Sequence, residues 1–500
     1  MNSKILSILF ILVLLVSACD LTEEPYGFYS EDNFYTTPED AEASLMYAYN
    51  ALTFIEYSRG IFYIGELASE TCDVKADEAY GSQQLNSWTA DATNETLTYF
   101  FKYCFIAINR SNAVIDNLVN SDFDASIKNR LLGEAYFLRA YNYFNLVKVF
   151  GLVPIQKSMV NSISQTSPNM AQNLDELYDF IITDLKEAES LLEINQKVGR
   201  ADKVAAQAFL AKVYLTIASS KESGVAKYTE MAIDVNTAYE EAANWAHKVL
   251  YDQSQYHIDN DLIHIYDVDA PDGPEHIFIM SMDRSGQDEG NYSKIAMMFH
   301  PWVDGVPYYL KNPDNTFTYS TNGWEVFQTT TSFYNTFSEV DKRRSELLVT
   351  DVYNANGEVT GSLGGKVIYP FTRKYVDPEF VGQKSSAKPY LMRFSEVALI
   401  YAEAAGPTDD AYGWVNAIRN RAGLGDLDPN LSTDAYRNAV VQERAWELAF
   451  EGKRLYDLRR KAMVLDKDQR AVAAGITEDQ AAFYPIPQME VDLNVNVSND

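Results

Sequence analysis

Apolar and polar positions alternate at helical spacing through most of this chain. Thr37-Pro38-Glu39-Asp40 is a helix start, with Thr as N-cap, Pro at the first helical position and acids in the first turn. A helix is expected from Pro38 into the fifties. Others are expected at about Leu97 to Val119, Ile127 to Phe150 (ended by Gly151), 173 to 192, 201 to 218 and 237 to 250. Leu131, Ala135, Leu138 and Tyr141 share one helical face, as do Val204, Ala208, Ala211 and Leu215. The helices come in pairs, with alanine on one facing Tyr, Phe or Trp on the next. The connections at 151–172 and 219–236 are long, so any repeat is degenerate.

From about Tyr251 to Arg393 the periodicity fades, and Gly, Pro, Asn, Asp and aromatics cluster. Short strands are expected at His276 to Met282 and Lys366 to Tyr369, and one helix at about Gln328 to Phe337. Helices return at Tyr390 to Ala405, Asp409 to Ala422 and Asp434 to Lys461. The last carries Glu443, Arg444, Glu447, Glu451, Arg454, Asp457 and Arg459. Pairs such as Glu451 with Arg454 and Lys453 with Asp457 read as an ion-pair ladder along one helix. The fold class is therefore mainly α: a helical scaffold over about 38–250 and 390–461, and an irregular region with short strands over about 251–389. A long loop-rich stretch inside a compact protein is a place to expect function, and this one is too aromatic to be disordered.

Composition narrows the function classes. The 500 residues hold 41 Lys+Arg against 71 Asp+Glu, a net charge of −30, and include 34 Tyr, 25 Phe and 6 Trp. A surface this acidic, without a basic stripe, argues against nucleic acid. It also disfavours a strongly anionic polysaccharide unless local cations assist. Residues 1 to 19 read as an address. Lys4 precedes an apolar run from Ile5 to Val16 that is too short to span a bilayer, which takes about 20 apolar residues. Leu15-Val16-Ser17-Ala18-Cys19 resembles the bacterial lipoprotein box. That resemblance implies a signal peptide over 1–18, a lipidated Cys19 and a mature chain over 19–500. The acidic stretch Asp20 to Glu24 that follows resembles a surface-export signal. Cys72 and Cys104 could pair or remain two buried thiols.

Motifs spread from end to end carry a family resemblance. They include Asn33-Phe34 before Thr37-Pro38-Glu39-Asp40-Ala41; Ala107-Ile108-Asn109-Arg110; Gly133-Glu134-Ala135-Tyr136-Phe137-Leu138-Arg139-Ala140-Tyr141; and Phe150-Gly151-Leu152-Val153-Pro154. Gly199-Arg200-Ala201, Arg393-Phe394-Ser395-Glu396, Asn416-Ala417-Ile418-Arg419, Glu447-Leu448-Ala449-Phe450-Glu451-Gly452-Lys453-Arg454 and Tyr484-Pro485-Ile486-Pro487 continue the series. In this order they resemble the SusD/RagB family of nutrient-capturing outer-membrane lipoproteins. The resemblance implies four tetratricopeptide-like helix pairs as scaffold, a variable ligand-binding region packed on it, no catalysis, and a SusC-like TonB-dependent transporter as partner. The implied place is the outer membrane, facing the cell exterior.

Catalytic and metal motifs do not compete. There is no H-E-x-x-H or G-x-S-x-G, and the five histidines lack metal spacing. Asp267, Asp269 and Asp272-Gly273 miss the calcium-loop register, because Pro271 stands at position 5. No cofactor is called for. Sugars present C–H faces to aromatic rings and hydroxyls to Asp, Asn, Gln and Arg. Aromatics on loops are therefore the site candidates: Trp302, Asp304, Tyr308 and Tyr309 in the Gly- and Pro-bracketed stretch 301–309, then Trp324, and Asn86 with Trp88 in a second stretch. The expected ligand is a glycan. The alternatives are a peptide taken up by the same kind of transporter and, remotely, a helical glycoside hydrolase or lyase.

Overall fold

The computed structural model describes residues 35–195, 198–287 and 290–498. Cys19, the segment before it and Asn33-Phe34 lie outside the described residues. Among the described residues eight α-helices build the first half: α1 (Pro38–Asn50), α2 (Ile55–Leu67), α3 (Tyr80–Asn86), α4 (Glu95–Leu118), α5 (Ala125–Phe150), α6 (Leu174–Leu191), α7 (Lys203–Glu222) and α8 (Val235–Tyr251). Their starts follow the capping chemistry. Thr37 makes a capping box with Asp40, and Asn94, Asn173, Asp202 and Asp234 each accept a backbone N–H of the first turn. Gly151 ends α5 at φ 72°, a conformation that favours glycine.

From α4 to α8 each helix packs on the next. The stack does not stop where the sequence pattern does. Helix α9 (Phe394–Ala405) lies directly against α8, and α10 (Asp409–Arg421) and α11 (Thr433–Glu447) pack on α9. The irregular region is thus an insertion between two helices that are neighbours in space. Among the described residues no helix is long and apolar enough to cross a membrane.

Several elements differ from expectation. Helix α2 escapes the pattern reading because it is buried on nearly every side, so no polar face marks its period. The single helix expected over 434–461 is two: α11, then α12 (Arg454–Arg460), separated by Phe450 at φ 66° and Gly452 at φ 70°. The break lets α2 cross here, since a Cβ on Gly65 would collide with the Gly452 backbone. The ladder dissolves with it. Glu451 pairs with Arg393 and Lys374, Arg454 with Glu70, and Asp457 with Arg444 and Arg460. Residues 390–393 form a strand, not a helical turn. Lys366 to Tyr369 contributes only an isolated bridge from Val367 to Leu363.

The insertion holds small antiparallel sheets. Strand β1 (Cys72–Val74) reaches out of the scaffold. The insertion itself supplies β2 (His276–Ile279), β3 (Tyr308–Lys311), β4 (Phe317–Ser320), β5 (Phe327–Thr329), β6 (Leu348–Val349), β7 (Asp351–Tyr353), β8 (Val359–Ser362), β9 (Phe371–Thr372) and β10 (Tyr390–Arg393). The largest sheet runs β4-β3-β7-β8, and the pairs are β1 with β5, β2 with β10 and β6 with β9. The expected helix at 328–337 is instead β5 followed by the short helix Thr331–Tyr334. One large core serves the scaffold, and a small second one lies under the four-stranded sheet. Cys72 and Cys104 are free, buried thiols, both pushed up by burial.

Candidate functional site

Two distant stretches meet through β1 and β5, with Cys72 opposite Thr329 and Val74 opposite Phe327. The Lys75 N–H continues the ladder to the Val326 carbonyl at 3.0 Å. This pairing carries the start of α3 to the edge of the insertion. Tyr80, the first residue of α3, is 77% exposed there.

The loop before β3 and the segment before β5 are fastened to each other by backbone. Gly323 N–H donates to the Pro301 carbonyl at 3.0 Å, Trp324 N–H to Met297 at 2.5 Å, and Glu325 N–H to His300 at 2.9 Å. Asn322 closes the seam. It accepts from Val303 N–H at 2.5 Å and donates to the Val306 carbonyl at 2.7 Å. The approach is so close that a Cβ on Gly323 would strike the His300 carbonyl. Glu325 is held at φ 53°, which costs a non-glycine residue roughly 1 kcal/mol or more. Trp302 and Trp324 therefore stand on one rigid, stitched surface.

Trp302 is 67% exposed, and its ring covers Gly305, where a Cβ would lie 2.9 Å from Cζ2. Asp304 and Gly305 turn the chain with φ of 54° and 69°. Asp304 is exposed and meets Lys366 Nζ at 2.5 Å. Trp324 is half-buried, with Lys294 Nζ 5.8 Å from its ring centre, within cation–π range. Burial holds the Lys294 ammonium below its ordinary range, helped by Arg59 and opposed by Glu56. Burial pushes the Glu325 carboxyl up, against the pull of Lys75. Glu325 Oε1 is buried and has no hydrogen-bond partner among the described residues, and the same holds for Arg59 Nε. The exposed Trp302 ring on a fixed backbone, with Lys294 beside the half-buried Trp324, forms a surface able to stack a sugar ring.

Two candidates are turned inward, and a third is half-buried. Tyr308 is 1% exposed and packs with Val303, Leu310, Val352 and Phe371 in the small core. The strand period explains it: in β3, Tyr308 and Leu310 face in, while Tyr309 faces out. Trp88 is buried and donates Nε1–H to Asp468 at 2.8 Å. Asn86 donates to the Leu67 carbonyl at 3.0 Å and so ties α3 to α2. Tyr308 and Trp88 are taken up by the fold and are not available to a ligand, whereas Asn86 commits only its amide N–H. Tyr309 is half-buried on the outer face of the sheet, opposite Tyr319 and Tyr353, with its ring 5.4 Å from that of Tyr319. Sequence reading missed Tyr80, Lys294, Asn322 and Glu325. Only Tyr80, between acids and Gly81, carried a local hint of exposure.

The whole-chain comparisons agree with this architecture. Residues 274–499 match the family described as the SusD family, and residues 32–215 match the one described as starch-binding associating with outer membrane. SusD-like protein P2 of Formosa agariphila is 27% identical over 98% of this chain and 98% of its own. The starch-binding protein SusD of Bacteroides thetaiotaomicron is 23% identical over 89% of this chain and 85% of its own. Among solved structures, a laminarin binding SusD-like protein superposes with a TM-score of 0.75 at 22% identity, over 92% of this chain and 98% of that one. The surface glycan-binding protein A of Bacteroides thetaiotaomicron in complex with laminarihexaose gives 0.71 at 20% identity, over 92% and 99%. With both halves matched and the helical stack interrupted by a loop-rich insertion, the chain belongs to the SusD/RagB family.

Proposed function

We propose that this protein is a cell-surface glycan-binding subunit, anchored in the outer membrane through a lipidated Cys19, that hands its ligand to a SusC-like TonB-dependent transporter. The observation that carries the reading is the stitched surface of Trp302 and Trp324, two exposed or half-exposed indoles on backbone fixed by Asn322 and Gly323. Indole rings take the C–H faces of a sugar, and Lys294, against the Trp324 ring, offers a charged group for its hydroxyls. Relatives named as starch-binding and laminarin binding point to the same ligand class. The role is capture, without turnover.

The test is glycan-array binding of the mature protein, with the Trp302→Ala/Trp324→Ala double variant as its site control. Wild type should retain oligosaccharides, release no cleaved products and lose retention by tenfold or more in the double variant. Retention of a peptide pool in place of every glycan would replace the ligand class. Full binding by the double variant would discard the site.

A further inference from the structure

Beside the four-stranded sheet lies a cavity of about 390 Å³, of the size that holds small ligands. One wall is Thr318 of β4, another Tyr266, and the deepest polar group is Arg373, which follows β9. Arg373 is only 6% exposed. Its guanidinium donates to the Lys311 carbonyl at 3.1 Å and to Asn312 Oδ1 at 2.6 Å. A guanidinium has five N–H donors, so the two bonds leave donors to spare. Among the described residues no carboxylate pairs with it; Glu346 and Asp261 act on it only through space. Burial without an ion partner draws its pKa down to about 10.

Another part of the wall is acidic, with His264 beside it held by Asp259. Asp261, Asp267 and Asp269 line the same cavity. One oxygen of Asp261 takes the N–H of Ile263 at 2.9 Å, and one oxygen of Asp267 takes that of Asp269 at 2.9 Å. Asp269 lies at the mouth, 64% exposed, with Arg284 at 3.5 Å. The second oxygen of each carboxylate makes no hydrogen bond among the described residues.

This pairing of walls selects a ligand. A carboxylate or sulfate would suit Arg373 and be repelled by three aspartates. An ammonium would suit the aspartates and be repelled by Arg373. A hydroxyl donates to one wall and accepts from the other, so a ring bearing several hydroxyls satisfies both. We infer that the cavity between Arg373 and Asp261, Asp267 and Asp269 is a second subsite, which takes one neutral, uncharged sugar ring of the glycan. Thr318 and Trp324 are six residues apart, so at most about 20 Å of extended chain separates this cavity from the indole surface, within reach of one oligosaccharide. The inference deepens the glycan-binding reading and rests on it.

The test is an array of neutral, amine-bearing, uronate-bearing and sulfated oligosaccharides, followed by calorimetric titration of the best retained one. Wild type should prefer neutral members. Arg373→Met should lose tenfold or more in affinity, and Thr318→Trp, which fills the cavity from the sheet side at the cost of the Thr318 bond to Asn312, should lose as much. Because Arg373 also tethers the β3–β4 turn, Thr318→Trp and the rim pair Asp267→Asn/Asp269→Asn decide the matter if Arg373→Met unfolds. The rim pair should raise binding of uronate-bearing members. Unchanged affinity in Thr318→Trp, or a wild-type preference for charged sugars, overturns the subsite and leaves the indole surface standing. Retention of no glycan at all removes both.

Discussion

Two glutamates show how differently the two regions hold charge. Glu447, on α11, is buried where the insertion meets the scaffold, and its carboxylate takes Arg421 at 2.6 Å, Arg393 at 3.2 Å and Arg343 at 3.3 Å. Those cations hold it well below the ordinary carboxylate range against the penalty of burial. Glu325, in the insertion, has an oxygen with no partner, a backbone at φ 53° and a carboxyl pushed up by burial. The same side chain is saturated in one place and left wanting in the other. Saturation marks a joint: Glu275, Arg343, Lys374 and Arg393 of the insertion are tied to Arg421, Glu443, Glu447 and Glu451 of the scaffold. Want marks a place where the fold leaves a polar group incomplete.

The largest expected effect comes from breaking the joint. Arg393 is fully buried and serves Glu275, Glu447 and Glu451 at once. Arg393→Met leaves these acids short of a counter-charge, and denaturant titration should show a loss of about 3–5 kcal/mol. Glu325→Gln should change stability by less than about 1 kcal/mol, since it breaks no pair. Equal losses in the two variants would erase the contrast.

Glu66 sharpens it through pH. It is fully buried between α2 and the break before α12, and accepts Thr71 Oγ1–H at 2.8 Å and Gly452 N–H at 2.7 Å. Burial raises its carboxyl to about 7. Between its ordinary value and 7 the folded state binds more protons than the unfolded one, so this residue makes stability fall as pH rises. The decline spans about pH 4.5 to 7 and is on the order of 3 kcal/mol. Melting curves should show it, and Glu66→Gln should flatten it. Glu447 works in the opposite sense, since its depressed carboxyl contributes stability that is lost as pH falls below about 4.5.

Smaller in energy, and the direct test of the proposed site, is the indole pair. Removing one indole, in Trp324→Ala, should weaken oligosaccharide binding by about tenfold, or about 1.4 kcal/mol. Tyr308→Ala, by contrast, should lower stability by about 3 kcal/mol, because its ring fills the small core.

The helices were legible because capping residues and apolar stripes are local signals. Thr37, Asn173 and Gly151 mark their ends in the sequence and in space. Helix α2 was not legible, since burial on all sides removes the polar face that periodicity needs. The site was half legible. Trp302 and Trp324 stand out as aromatics among turn residues, but whether Tyr308 or Tyr309 faces out depends on a strand register that only the pairing of β3 with β4 and β7 fixes. Asn322 and Glu325 carry no local signal. Their roles come from the close approach of residues 300–303 to 322–325.

The smallest expected effect tests whether the Trp302 turn owes its shape to charge or to backbone. Asp304 and Lys366 pair at 2.5 Å, yet the two side chains are 57% and 51% exposed. Exposed pairs are screened by water and salt and contribute about 0–1 kcal/mol. The turn has firmer supports: Asn322 holds Val303 and Val306, Gly305 supplies φ 69°, and Val303 is anchored in the small core. Lys366→Met should therefore change stability by under about 0.5 kcal/mol and glycan affinity by less than twofold. Asn322→Ala, which leaves the ion pair intact, should weaken binding by several-fold because Trp302 loses its fixed position. If the order were reversed, with Lys366→Met the more damaging change, the turn would be held by electrostatics, and glycan binding would weaken as salt is added.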